Sequence, residues 1–154
     1  VIEGVIIKPL QVRRDARGYL MEILRSDDAS FQRFGQAYLT SARPGVVKAW
    51  HCHAKQTDYL TVVAGTARIA LYDGRAGSRT FGVVIDVVAG EENPCLVIVP
   101  PGVFHGFKPA GENHVCILNI PTELYNYDEP DEIRRPYNDA SIPYDWGEAD
   151  PASG

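Results

Sequence analysis

The stretch Gly45-Val46-Val47-Lys48-Ala49-Trp50-His51-Cys52-His53-Ala54-Lys55-Gln56-Thr57-Asp58, with Gly65 beyond it, decides how this 154-residue sequence folds. Side chains alternate across a strand, so His51 and His53 share one face while Cys52 points to the other. Asp58 follows where the next strand begins. Later, Pro100-Pro101-Gly102-Val103-Phe104-His105-Gly106-Phe107 delivers a third histidine after a proline-glycine turn. Three imidazoles and a carboxylate are suitable ligands for Fe, Mn, Ni, Cu or Zn, and the donor set does not choose among them. A lone histidine is more often a surface or hydrogen-bonded core residue, which is the reading for His114 in Gly111-Glu112-Asn113-His114.

Outward from these segments, fourteen glycines and eleven prolines punctuate short runs rich in Val, Ile, Thr and aromatics. That is the pattern of an all-β chain. Strands are expected over 4–7, 36–41, 46–53, 59–63, 66–72, 80–88, 95–99, 103–108 and 114–120. Helix signals are thin: Asp28 is placed to cap a short turn carrying Phe31 and Phe34, and Pro130 to Arg135 reads as another. Past Pro121 the composition shifts to Tyr, Asp, Glu, Pro and Asn, an irregular arm over the barrel rather than a second domain. Its aromatics Tyr125, Tyr127, Tyr137, Tyr144 and Trp146 argue against plain disorder. One domain over 1–147, with the arm from about 121, and a flexible tail over 148–154 is the expected organisation.

Composition narrows the function. A 45% hydrophobic, 23% charged chain is an ordinary globular protein with a sizeable core. The net charge of −5 disfavours non-specific nucleic-acid binding, while leaving small anions to local basic pockets. Apolar runs such as Cys95 to Val99 fall far short of the roughly 20 residues a bilayer requires. The start Val1-Ile2-Glu3-Gly4 lacks a secretory pattern. Cys52, Cys95 and Cys116, odd in number and widely spaced, fit reduced thiols in a cytoplasm.

The two histidine segments resemble the paired signature motifs of the cupin superfamily, Gly-X5-His-X-His-X4-Glu-X6-Gly and Pro-X-Gly-X2-His. Asp58 replaces the glutamate, and Pro94 and Pro109 stand where a flanking glycine and asparagine belong. The resemblance implies a double-stranded β-helix, the cupin jelly-roll barrel. Further segments are similar to the dTDP-4-dehydrorhamnose 3,5-epimerase family within that superfamily. They are Asp15-Ala16-Arg17-Gly18-Tyr19-Leu20-Met21-Glu22, Gly45 to His51, Tyr72 to Gly82, Pro100 to Phe107, Thr122-Glu123-Leu124-Tyr125 and Tyr137-Asn138-Asp139, in family order along nearly the whole chain.

This family resemblance implies roles for named positions. His51 would remove the proton beside a sugar ketone, in a dyad with Asp139. Imidazole titrates near neutrality, and a carboxylate on its far nitrogen fixes the tautomer. Arg17, Glu22 and Gln36 would hold the nucleotide and its phosphates, and His105 the sugar. Lys48 stands for an arginine, keeping the charge but losing the planar fork. Asp58 falls where the family places an enolate-stabilising lysine, and Asn119 where it places an acidic tyrosine. Tyr59, Tyr72 or Tyr125 would then have to supply the acid.

Two readings of His51 compete, because a metal-bound imidazole has no lone pair left for a base. Either His51 pairs with Asp139 and no cofactor is required, or His51, His53, Asp58 and His105 hold a divalent transition metal that polarises the ketone. The first reading implies an epimerase or isomerase of a nucleotide-linked 4-keto-6-deoxy sugar. The second implies a metal-dependent cupin acting on another small carbonyl or hydroxy substrate. A third class is a sugar-binding protein without catalysis. A homodimer formed by N-terminal strand exchange is expected, since the apolar strand Val1 to Ile7 has little to bury it in a lone barrel.

Overall fold

A computed structural model describes residues 1–154 as an all-β protein with no helix. None of it is a helix long and apolar enough to cross a membrane. Twelve strands run in order: β1 (Ile6–Pro9), β2 (Val12–Asp15), β3 (Gly18–Met21), β4 (Tyr38–Ala42), β5 (Lys48–Cys52) and β6 (Asp58–Ala64), then β7 (Thr66–Asp73), β8 (Val84–Gly90), β9 (Cys95–Val99), β10 (Val103–Pro109), β11 (Val115–Asn119) and β12 (Ile133–Arg134). One sheet has the order β1-β9-β6-β11-β4 and the other β12-β5-β10-β7-β8, all neighbours antiparallel.

The period of two dictates the packing. On β7, Ala67, Ile69 and Leu71 enter the core between the sheets, with Leu60, Val97, Val103 and Ile117 from neighbouring strands. The opposite parity, Ala70 and Tyr72, joins Trp50, Phe104, Ile142 and Trp146 in a second cluster under the C-terminal arm. A third cluster, Leu10, Tyr59, Leu96 and Ile98, lies behind the other sheet and is covered by Met21, Ile23 and Leu24.

Several expectations are corrected. The segment around Asp28 is a turn, closed by a bond from the Phe31 amide to the Asp28 carbonyl, and Phe34 is exposed. Residues 130–135 contain β12 instead of a helical turn, because the backbone of Ile133 and Arg134 pairs with Cys52 and His51. A hairpin, β2–β3, stands where no strand was expected. The tail is tied down: the Asp150 amide bonds the Gly45 carbonyl, the Ser153 hydroxyl accepts the Val47 amide, and the Gly154 amide returns to the Val47 carbonyl. Within the chain, the N-terminal segment is partly covered, with Ile6 and Ile7 left exposed. β1 pairs with β9, and Ile2 and Val5 are buried.

Two local constraints hold the barrel. The strand expected from Thr80 starts only at Val84, because residues 75–82 fold around the buried Asp73 carboxylate. It accepts the Arg75 guanidinium at 2.8 Å, the Ser78 hydroxyl at 2.6 Å and the Thr80 hydroxyl at 2.7 Å. At Gly106, a Cβ would stand 2.2 Å from Ala49 Cβ, so the approach of β10 to β5 requires glycine. Gly106→Ala should cost about 1–3 kcal/mol by overpacking and lower the urea midpoint.

The Arg75 bonds hold the Asp73 carboxyl well below its ordinary value of 3.8. Its stabilising contribution is therefore complete above about pH 4 and is lost as pH falls towards the folded-state value. Asp73→Asn should cost about 1–3 kcal/mol at neutral pH and flatten the acid limb of the stability profile, read by urea unfolding between neutral and acid pH.

Candidate active site

β5 and β10 lie side by side with His105 directly opposite His51, and both inward-facing rings look towards the open end of the barrel. Across it, β6 brings Asp58, β11 brings Asn119 and β4 brings Tyr38. The resulting cleft, about 1160 Å³, is lined by Tyr38, Lys48, His51, His53, His105 and Asn119, with arm residues Tyr125, Asp131 and Glu132 as one wall.

Asp58 sits at the floor with 1% of its surface exposed. Its Oδ1 accepts from Gln56 Nε2 at 2.8 Å and from Asn119 Nδ2 at 2.7 Å. Its Oδ2 lies 3.4 Å from His53 Nε2 and 3.5 Å from His105 Nε2, yet is buried without a hydrogen bond. The Asn119 amide also donates to the Tyr38 hydroxyl at 2.8 Å. Burial and the Asp58 charge raise the Tyr38 phenol, which keeps it protonated at neutral pH.

His51 Nδ1 lies 3.1 Å from Glu132 Oε1, while Arg134 donates to Glu132 Oε2 at 3.0 Å. A carboxylate can only accept, so neutral His51 carries its proton on Nδ1 and leaves the Nε2 lone pair free. Burial, then the neighbouring His105, push the His51 imidazole below its ordinary range, and Glu132 opposes them. Burial works against the charged form of Glu132, but bonds from Arg134 and His51 still hold its carboxyl low. Burial also pushes His105 down, against the pull of Asp58.

The structure gathers only some of the expected residues. His51, His53, His105, Gln36, Lys48, Asn119 and Tyr125 line the cleft, with Asp58 beneath them. Asp139 does not pair with His51. β12 ends at Arg134, and in the turn that follows the Asp139 carboxylate accepts the Ser141 amide at 2.8 Å and hydroxyl at 2.7 Å, facing a separate small cavity. Tyr72 packs behind the sheet because its parity is opposite to that of Ile69 and Leu71. Tyr59 is wholly buried, with its hydroxyl bonded to the Ser30 carbonyl. Arg17 pairs with Asp15 at the exposed tip of the β2–β3 hairpin, and Glu22 with Arg25, both outside the cleft.

The four-residue metal set also contracts. Ligand atoms of His53, Asp58 and His105 lie within 4.8 Å of one another, and His51 is not among them. Sequence reasoning missed Glu132, Tyr38, Gln56, Lys55 and Arg134, all on the cleft. For Glu132 the only signal was its place in the acidic run Asp128 to Glu132, which reads as a solvated segment.

A barrel of two antiparallel sheets with a histidine-lined open end is a cupin-type architecture, and comparison with known proteins narrows the class. The profile described as dTDP-4-dehydrorhamnose 3,5-epimerase matches residues 1–153. The chain belongs to that family of sugar epimerases. It is 40% identical over 146 residues to the spore coat polysaccharide biosynthesis protein SpsL of Bacillus subtilis, covering 95% of this chain and 97% of the relative. It is 31% identical to a dTDP-4-dehydrorhamnose 3,5-epimerase of Methanothermobacter thermautotrophicus, covering 94% and 80%. The solved dTDP sugar isomerase of Desulfovibrio desulfuricans superposes with a TM-score of 0.90 at 31% identity, covering 97% and 94%.

The wall of the cleft hangs on Asp131, whose carboxylate accepts the amides of Ala54 and Lys55 at 2.8 and 2.9 Å and that of Gln56 at 3.2 Å. Asp131→Ala should lower stability by about 2–3 kcal/mol. Amide hydrogen exchange at 54–56 should rise with it.

Proposed function

We propose that this enzyme epimerises a nucleotide-diphospho 4-keto-6-deoxy sugar, with His51 as the base. The observation that carries this reading is the His51–Glu132 pair at the cleft, which leaves Nε2 with a lone pair aimed away from its carboxylate partner. His51 Nε2 takes the proton from the carbon beside the ketone, the C–H electron pair moves into an enolate, and imidazolium forms beside Glu132. Returning a proton to the opposite face of that carbon inverts the centre and restores the ketone. No electrons are gained or lost overall, so imidazole and a phenol suffice for the proton movements and no redox cofactor is required.

Tyr38, Tyr125 and Tyr127 are the phenols on the cleft, and Tyr38 is the better placed donor because Asn119 anchors its oxygen. Lys48, Lys55 and Arg134 supply positive charge for the diphosphate. The nucleotide-sugar reading gains support from the solved Legionella pneumophila epimerase in complex with dTDP-4-keto-L-rhamnose, which superposes with a TM-score of 0.83 at 25% identity.

Incubation with a dTDP-4-keto-6-deoxyhexose in deuterated water should place deuterium beside the ketone. His51→Ala should abolish this, and Glu132→Gln should slow it about 10²-fold, while Asp139→Asn should leave it near the wild-type rate. Tyr38→Phe should retain exchange but lose inversion. An unlabelled sugar with every nucleotide tested, from folded protein, would reject the reading.

A homodimer belongs to the same proposal. The hairpin leaves Tyr19 and Leu20 exposed, and the edge strand β1 leaves Ile6 and Ile7 exposed, apolar surface that a second copy would cover. Sedimentation should give the mass of two chains, and Leu20→Asp should shift it to one. Three free cysteines support a cytoplasmic setting.

A further inference from the structure

The floor of the cleft brings His53 Nε2, Asp58 Oδ2 and His105 Nε2 together. His53 Nδ1 is bonded to the Asp131 carbonyl, and His105 Nδ1 to the Val103 carbonyl at 3.3 Å. A carbonyl oxygen can only accept, so both rings carry their hydrogen on Nδ1, and both Nε2 atoms present lone pairs. Those lone pairs face Asp58 Oδ2, itself an acceptor, buried and without a hydrogen bond. Three acceptors converging on Asp58, which is 1% exposed, call for a cation among them.

A proton is one choice, but its geometry would differ. An imidazolium bonded to a carboxylate closes to about 2.7–2.9 Å. Here the separations are 3.4 and 3.5 Å. Nitrogen and oxygen ligands that share one ion at about 2.0–2.2 Å stand roughly 3.0–3.5 Å apart. The supporting bonds have the same sense. Each ring donates its far N–H to a backbone carbonyl, and the second oxygen of Asp58 is fixed by Gln56 and Asn119, so the donors are oriented before anything binds.

We propose that His53 Nε2, Asp58 Oδ2 and His105 Nε2 form a binding site for one divalent transition-metal ion, from which His51 is excluded. Two imidazoles and one carboxylate suit Fe(II), Mn or Zn and leave coordination positions for water or a substrate oxygen. When bound, such an ion would supply electrophilic charge at the floor of the cleft. His51, held by Glu132, keeps its lone pair, so a base and a metal site coexist in one cleft. The inference rests on the sugar-epimerase reading only for what the ion would do there. Binding itself is read with metal alone, so failure of one is distinguishable from failure of the other.

The full chain, purified without an affinity tag and stripped with chelator, would be titrated with Co(II) for its visible absorption and with Zn(II) for thermal stability. One equivalent per chain should bind, and Zn(II) at about a hundred times its dissociation constant should raise the melting temperature by about 5–10 °C. Asp58→Asn and His53→Ala should each lose stoichiometric binding while keeping the wild-type circular dichroism, and His51→Ala should keep it. Should Asp58→Asn fail to fold, His53→Ala and His105→Gln carry the test. A folded wild-type chain that takes up neither ion would overturn the proposal and leave a proton in the cluster. Binding unchanged in the variants that fold, or lost equally in His51→Ala, would also overturn it.

Discussion

A carboxylate with 1% exposure has to be compensated on both oxygens, and the way Asp58 is compensated organises the end of the barrel. One oxygen takes amide hydrogens from Gln56, just before β6, and from Asn119 on β11. The other faces imidazoles from the segment after β5 and from β10, which belong to the opposite sheet. One side chain therefore bridges the two sheets where the apolar core gives way to the cleft. Below it, Val97, Val99 and Val103 are buried and close-packed. Above it most lining groups are polar or aromatic, with Leu60, Ile69, Ile117 and Leu124 among them, and Asn119 carries the link on to Tyr38.

The C-terminal arm completes what the barrel begins. Arg134 pairs with His51 and Ile133 with Cys52 in the β12–β5 register. Residues two apart on a strand share a face, so Glu132 and Arg134 lie on the same side as His51. That parity explains why Glu132 reaches the His51 ring and Asp139 does not. Asp139 follows Pro136 in a turn, where its oxygens close on Ser141. The same arm covers the back of the second sheet with Ile142 and Trp146, so burial of apolar surface there also fixes the acid beside the histidine.

Much of the barrel was legible because strand chemistry is local. The run Cys95–Val99 is a strand with the expected bounds, and β5, β7 and β10 fall within two residues of theirs. The β2–β3 hairpin escaped because Arg13, Arg14, Asp15 and Arg17 give it no apolar alternation, and its pairing is stabilised across the turn. The site was half legible. His51, His53 and His105 follow from spacing and parity, but an acidic run such as Asp128 to Glu132 has no periodic signature, and only the long-range pairing of β12 assigns Glu132 a partner. The tail was misjudged for the same reason: its small and polar residues carry no core signal, and their backbone bonds to Gly45 and Val47 are invisible in composition.

The relation of His51 to His53 shows how far parity alone reaches. Two residues apart along extended chain means an origin separation of roughly 6.6 Å, so a shared face does not mean a shared ligand. Where β5 ends at Cys52, the chain turns, and His53 is held at the floor by the Asp131 carbonyl on Nδ1, with Nε2 3.4 Å from Asp58 Oδ2. His51 remains in the ladder, opposite His105, and the arm supplies it with a carboxylate of its own. The acceptor that holds each Nδ1 sets the ring's tautomer, and with it which nitrogen offers a lone pair and in which direction. Adjacent residues Asp131 and Glu132, one through its backbone carbonyl and one through its side chain, thus fix two neighbouring histidines for different work.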